Sequence, residues 1–328
     1  MPFFVIIRSI FLYNFIFNFI ICNPQKLIMQ LLVDNLCILF KLMELPYDIL
    51  QIIFNECDFV SQLRLRQMCC FTYDELQMTN FYDINVVTIH RLTNKIIKQY
   101  PYITRLDVSY NTNITDVNHL TNLYELSASH CLINQAGIAE LRNIIKLNVS
   151  WNKKITDVNH LSSLRELNAA YNGVNQMGIS KLCNLVKLNA DYNRFITNVN
   201  HLTILCELSA AVSCGIDQNG ISQLHLIKSL NVSCNSKISD VNHLIELCEL
   251  NASGACGIDQ AGLSRLRNLI NLKVSYNRRI IDVNHLAELR QLHAGGDCGI
   301  TQEGISRLHK LTDLYTFYRE NRNALRLI

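Results

Sequence analysis

The chain of 328 residues is 49% apolar and only 17% charged, against a usual charged share of about 25%. Glycine and proline together number 16, and the net charge is +3. That composition excludes a disordered chain, a collagen-like one and a charge-rich coiled coil. The near-balance of charge argues against bulk attraction to nucleic acid or anionic lipid.

Residues 1–42 differ in composition from everything that follows. The apolar run Phe3 to Cys22 invites a membrane-anchor or signal reading. Arg8, Asn14 and Asn18 interrupt it, and a charge at the bilayer centre costs roughly 2.5–3.5 kcal/mol. No small-x-small cleavage pattern follows the run. Its Phe, Ile, Leu, Asn, Tyr and Lys bias is also what translated AT-rich non-coding DNA yields, and Met43 stands directly before a well-formed domain. Three readings stay open: a dispensable upstream extension, a membrane anchor or signal over residues 3–22, and a packed helix. A membrane is a partner only on the second.

Residues 43–79 read as a small helical module. Pro46 suits the first turn of a helix, where its missing N–H costs nothing. Ile49, Leu50, Ile52, Ile53 and Phe54 recur at helical spacing. Asn55 to Asp58 break the pattern, and Ser61 is the expected cap of a second helix carrying Leu63, Leu65, Met68 and Cys69. Tyr73 and Leu76 suggest a third helix. So small a core relies on a partner or on the next domain. Residues 80–99 read as a connecting segment.

From Tyr100 to Arg307 the sequence repeats itself ten times. Leu141, Ile144, Leu147, Val149, Asn152, Ile155 and Val158 return as Leu182, Leu185, Leu188, Ala190, Asn193, Ile196 and Val199, and again from Leu224 and Leu266. Sister units begin at Leu120, Leu161, Leu202, Leu244 and Leu286. Units of 20 residues alternate with units of 21 or 22, so the block is 41–42 residues long. An eleventh unit starts at Leu308 and decays after Leu314, so residues 308–328 read as a terminal cap.

This spacing resembles the leucine-rich repeat, over about two thirds of the chain. The resemblance implies an α/β solenoid, a horseshoe whose parallel sheet lines the concave face. Each unit gives a short strand such as Leu147-Asn148-Val149, with alternate residues facing in and out. An inward Asn or Cys follows each strand: Asn111, Cys131, Asn152, Asn172, Asn193, Cys214, Asn235, Cys256, Asn277 and Cys298. Cysteines two units apart lie about 9–10 Å from each other, beyond disulfide reach. They read as buried thiols of a protein in a reducing, cytoplasmic compartment. Three sequons, at Asn148, Asn231 and Asn251, would put glycans on the concave face, which also argues against secretion.

The units CGIDQAGLSRL (256–266) and CGITQEGISRL (298–308) resemble the cysteine-containing repeats of F-box proteins. Their convex side carries a short helix, whereas ITDVNHL units leave room only for a tight turn. The segment MELPYDILQIIFNECDFVSQLRLRQMC (43–69) resembles the F-box itself. The resemblance implies docking of a Skp1-like protein through Leu45, Pro46, Ile49, Leu50, Ile53, Phe54, Leu63 and Met68. It departs from the family near Thr72–Tyr73, where Trp is usual. The module order and Asn/Ile-rich composition resemble F-box/leucine-rich-repeat proteins of giant amoebal viruses such as Mimivirus, which implies a host Skp1 and host cytoplasm.

No catalytic constellation stands out. His119, His160, His201, His243 and His285 recur about 10 Å apart, too far for shared metal ligation, and read as turn residues. No Cys-x-x-Cys pair and no phosphate-binding glycine loop are present. An enzyme, a metal and a cofactor are therefore not expected. The concave face offers Arg105, Glu125, Lys146, Glu166, Lys187 and Glu207 as alternating charges. Beside them runs a polar row, and past the strands Tyr110, His130, Trp151, Tyr171 and Tyr192 line up. Exposed aromatics dominate binding hot spots. Arg105, Tyr110, Lys146, Trp151, Tyr171, Lys187 and Tyr192 are the expected contacts for a protein target. Together with this face, the F-box resemblance implies an adaptor, the substrate-recognition subunit of a Skp1–cullin–F-box ubiquitin ligase. The rivals are a repeat scaffold without a ubiquitin role and a membrane-tethered receptor.

Overall fold

A computed structural model describes residues 47–67, 76–82 and 84–316. Leu45, Pro46, Met68, Tyr73 and the whole of segment 1–42 lie outside the described residues. The chain divides into two compact units at Asp107/Val108.

In the first unit, α1 (Tyr47–Asn55) and α2 (Phe59–Arg66) pack together. Leu50 and Phe54 are 7% and 1% exposed, so burial of one apolar stripe holds α1 in place. Asp58, not Ser61, caps α2: its carboxylate accepts from the Ser61 N–H at 2.7 Å. An Asp one residue outside the first helical turn meets an amide two or three residues on, which Ser61, already inside the turn, cannot do.

Gln62 is fully buried and ties α1 to the chain beyond α2. Its Nε2 donates to Phe54 O and Thr79 Oγ1, and its Oε1 accepts from the N–H groups of Thr79 and Asn80. The stretch read as a connector from residue 80 contains regular structure: β1 (Asn80–Phe81), α3 (Val86–Arg91) and α4 (Asn94–Ile97). β1 pairs in parallel with β2 (Arg105–Asp107), and Phe81 packs between the rings of Phe59 and Tyr100 at 5.1 and 5.0 Å. Leu76 is buried, in extended chain and not in a helix.

The second unit contains ten parallel strands in sequence order. They are β3 (Glu125–Ser127), β4 (Lys146–Asn148), β5 (Glu166–Asn168), β6 (Lys187–Asn189), β7 (Glu207–Ser209), β8 (Ser229–Asn231), β9 (Glu249–Asn251), β10 (Asn271–Lys273), β11 (Gln291–His293) and β12 (Asp313–Tyr315). From β3 to β11 the central leucine of each is at most 3% exposed, and its flanking residues point outward. Units of 21 or 22 residues carry one helical turn: Ala136–Ile138, Asn219–Ile221, Ala261–Leu263 and Glu303–Ile305 as 3₁₀ turns, and α5 (Gln176–Ile179). The 20-residue units between them turn without a helix.

Polar side chains stitch one unit to the next. Asn159 donates to Met177 O and accepts from Lys181 N, spanning the turn of the following unit; Asn118, Asn200, Asn242 and Asn284 repeat the pattern. Gln135, Gln176, Gln218 and Gln260 grip the next unit's backbone in the same three-bond manner. The recurrent histidines are turn residues: His160, His201, His243 and His285 place Nε2 3.0–3.2 Å from the carbonyls of Ile138, Ile179, Ile221 and Leu263. Among the described residues no helix is long and apolar enough to cross a membrane.

Candidate functional site

The exposed face of the sheet carries three columns, set by the strand period of two and by the strand exits. In the first, Glu125, Lys146, Glu166, Lys187 and Glu207 stand in register on β3 to β7. Lys146 Nζ lies 3.2 Å from Glu166 and Lys187 Nζ 2.9 Å from Glu207. The hydrogen bond to Glu207 holds the Lys187 ammonium above its usual range. All four side chains are at least 36% exposed, so these pairs fix side-chain register more than they stabilise the fold. Beyond β7 the column becomes neutral or acidic, with Ser229 donating to Glu249 and Asn271 to Gln291. In the first unit, the Arg105 guanidinium sits over the ring of Tyr82 at 4.8 Å.

The second column is polar. Asn148, Asn168 and Asn189 each turn their Oδ1 to the backbone N–H two residues on, which closes the strand. Asn148 and Asn231 also donate to Ser127 and Ser209 on the preceding strand. A shallow depression of about 200 Å³ lies over β8 to β10, lined by Asn231, Glu249, Asn251, Asn271 and Lys273.

The third column forms where the chain leaves the sheet and must adopt a left-handed backbone. Tyr110, His130, Trp151, Tyr171 and Tyr192 have φ of 62°, 50°, 61°, 48° and 57°. Their N–H groups still bond across to the next unit, as Trp151 N does to Ala170 O at 3.0 Å. Such a conformation costs a residue with a Cβ roughly 1–2 kcal/mol. Glycine takes the same role at Gly254 and Gly296. The aromatic rings form a ladder. Tyr110 stacks on His130 at 4.8 Å, His130 on Trp151 at 4.9 Å, and Trp151 lies 4.0 Å from Tyr171, which meets Tyr192 edge-on. Tyr110, Trp151 and Tyr192 are about half exposed and Tyr171 somewhat less.

Of the expected target contacts, the structure brings Lys146, Trp151, Tyr171, Lys187 and Tyr192, with Tyr110 at the ladder's end, onto one face. His130 joins the ladder as a stacked member between Tyr110 and Trp151. Lys153 lies over the Tyr171 ring, and Lys154 and Arg194 are exposed a few residues past Trp151 and Tyr192; none was singled out from sequence. Their signal was available, since a basic residue directly follows the inward Asn in three of the five 20-residue units.

In the F-box-like segment, the expected Skp1 contacts separate by environment. Leu50 and Phe54 are interior and serve the packing of the module; Ile53 is half-buried, Ile49 lies in α1, and Leu63 is exposed. Ile52 and Val60, which were not named as contacts, are 58% and 46% exposed. An α-helix buries only one stripe, so positions next to the buried stripe are the ones left open.

The inward Asn and Cys residues are structural. Asn152, Asn193, Asn235 and Asn277 each donate to two carbonyls of the preceding unit, as Asn193 does to Ala169 O and Val174 O at 3.0 Å. Cys131, Cys214 and Cys256 are buried free thiols, and burial pushes each up to about 11. Among the described residues no group of His, Cys, Asp and Glu could hold a metal ion.

Residues 42–83 match the F-box domain family. The fold is similar to an internalin, InlF, of Listeria monocytogenes, at 23% identity over 75% of this chain and 76% of that one, with a TM-score of 0.53. It is also similar to the functional domain of InlJ from Listeria monocytogenes, which includes a cysteine ladder, at 23% identity over 67% of this chain and half of that one, with a TM-score of 0.52. Comparison with curated proteins finds no match. The chain therefore carries an F-box domain followed by a leucine-rich-repeat solenoid.

Proposed function

We propose that this chain is an adaptor, the substrate-recognition subunit of a Skp1–cullin–F-box ubiquitin ligase. The F-box match over residues 42–83, directly ahead of a repeat solenoid with an aromatic ladder on one face, is the observation that carries this reading. Exposed Ile52, Val60 and Leu63 on α1 and α2 offer apolar surface to a Skp1-like protein. The sheet face of the repeats holds the target, and its contacts include Lys146, Trp151, Tyr171, Lys187 and Tyr192. Chemistry resides in the partner subunits. This chain supplies proximity, which converts ubiquitin transfer into an effectively intramolecular event. Its place of action is the cytoplasm. The module order and Asn/Ile-rich composition support a viral chain whose Skp1-like partner is a host protein.

The test is capture of a eukaryotic Skp1 by the full chain, compared with an Ile52→Asp/Leu63→Asp variant. Both positions are exposed, so the variant keeps its fold, which circular dichroism verifies. Capture by the parent and its loss in the variant support the adaptor. A folded parent that captures no Skp1 leaves a repeat scaffold without a ubiquitin role as the description of the chain.

A further inference from the structure

The aromatic ladder has used up most of its ring faces. Tyr110, His130 and Trp151 are stacked within 16° of parallel at centroid separations below 5 Å, and Tyr171 closes on Trp151 at 4.0 Å. What such rings turn to solvent is their edge, where the quadrupole is positive. Four hydrogen-bond donors stand along that edge: the hydroxyls of Tyr110, Tyr171 and Tyr192 and the indole N–H of Trp151. None of the four has a hydrogen-bond partner among the described residues.

Three cations follow ladder residues closely in the chain. Lys153, Lys154 and Arg194 are all exposed, and none is ion-paired among the described residues. Lys153 Nζ lies 5.0 Å from the ring centroid of Tyr171, which holds the charge against the ladder. Lys153 and Arg194 occupy equivalent positions two units apart, and the intervening unit has Gly173 at that place, so nothing projects between them. The nearby carboxylates are engaged elsewhere. Glu166 and Glu207 pair with lysines, and Asp191 accepts from Ser209 Oγ and Ala211 N. A strip with outward donors, positive ring edges and unpaired cations selects negative charge.

We propose that this strip takes an acidic segment of a protein target, rich in aspartate or glutamate. The proposal rests on the reading of the repeat face as the target site and names the chemistry of what that face holds. Single-stranded nucleic acid is the other anionic polymer that aromatic and basic surfaces attract, but it is held by stacking bases on open ring faces. Here the faces between Tyr110, His130, Trp151 and Tyr171 are filled by neighbouring rings, which favours carboxylates over bases along that stretch.

The experiment uses the full chain and two fluorescein-labelled probes, an oligoglutamate peptide and an oligouridylate of equal net charge. Binding is read by anisotropy and by the emission of Trp151, the only tryptophan in the chain. Saturable binding of oligoglutamate with a shift in Trp151 emission is expected. A K153E/R194E variant, altered only at exposed positions, should bind about tenfold more weakly, and added salt should weaken the parent. No saturable binding by the folded parent, equal affinity in the variant, or preference for oligouridylate each overturns the proposal. Skp1 capture is scored separately: a chain that captures Skp1 but ignores oligoglutamate leaves the adaptor standing and removes this inference.

Discussion

Asn193 donates its Nδ2 to the Oδ1 of Asn172 at 3.0 Å, while the Nδ2 of Asn172 is buried without a partner. Elsewhere an inward Asn follows an inward Cys, at 131/152, 214/235 and 256/277, and the smaller residue leaves room for the amide. Asn172 is the exception among the 21- and 22-residue units, and its free amide N–H is the cost.

Replacing it should therefore stabilise the chain. Asn172→Cys removes a buried unsatisfied donor and restores the pattern of the neighbouring blocks. A gain of about 1 kcal/mol is expected, read as a rise in the thermal or urea midpoint. A fall in the midpoint contradicts this account of Asn172.

Gly262 packs its turn against the preceding unit so closely that a Cβ there would lie 2.0 Å from the carbonyl oxygen of Ser239. Gly262→Ala should lower the urea midpoint by the equivalent of about 1–3 kcal/mol, the usual cost of forcing atoms into a filled space. Ser264→Ala, two residues on and exposed, serves as the control and should change the midpoint little.

Trp151 sits at φ 61°, so two truncations of the same ring should differ. Trp151→Gly relieves the left-handed strain and Trp151→Ala does not. The glycine variant should be the more stable of the pair by about 1 kcal/mol, measured by thermal melting.

The buried thiols should be chemically silent. Burial raises Cys131, Cys214 and Cys256 to about 11 and Cys57 to about 12, so almost none is thiolate at neutral pH. Iodoacetamide should modify exposed Cys183 and Cys234 in the native chain and reach these four only after unfolding. Mass-spectrometric mapping of labelled sites checks this, and native labelling of Cys256 would count against it.

Stability should fall on mild acidification. Burial lowers the His285 pKa below 6.5, against a smaller raising effect from Leu263 O. His293 is lowered by burial and by the Lys273 charge. Below the ordinary histidine range the unfolded chain then binds more protons than the folded one, so folding loses free energy as pH drops. The urea midpoint should decline from pH 7 towards pH 5, and His285→Gln should flatten the decline.

The repeats were legible because they are repeated. Leu147, Leu167 and Leu188 recur in one register, and a period seen ten times identifies the strand, its inward face and its outward columns. The left-handed exits were not read, because aromatic residues there disguise a position that glycine marks openly only at Gly254 and Gly296. The stitching by Gln135 and Asn159 was also missed, since it depends on which backbone groups stand opposite. In the first unit each feature occurs once. Burial of Gln62, capping by Asp58 and the strand at Asn80–Phe81 follow from tertiary contacts that no internal copy reveals.

The alternation of Asn and Cys also limits how this solenoid can change length. The inward Asn152, Asn235 and Asn277 each reach back into a unit whose inward residue is Cys, and each helical turn is gripped by an Asn of the unit before it. Loss of one unit would set Asn beside Asn at a new junction, as Asn172 and Asn193 already stand at a cost. Only excision or duplication of a 41- or 42-residue pair preserves every junction. Such an array grows and shrinks in even steps.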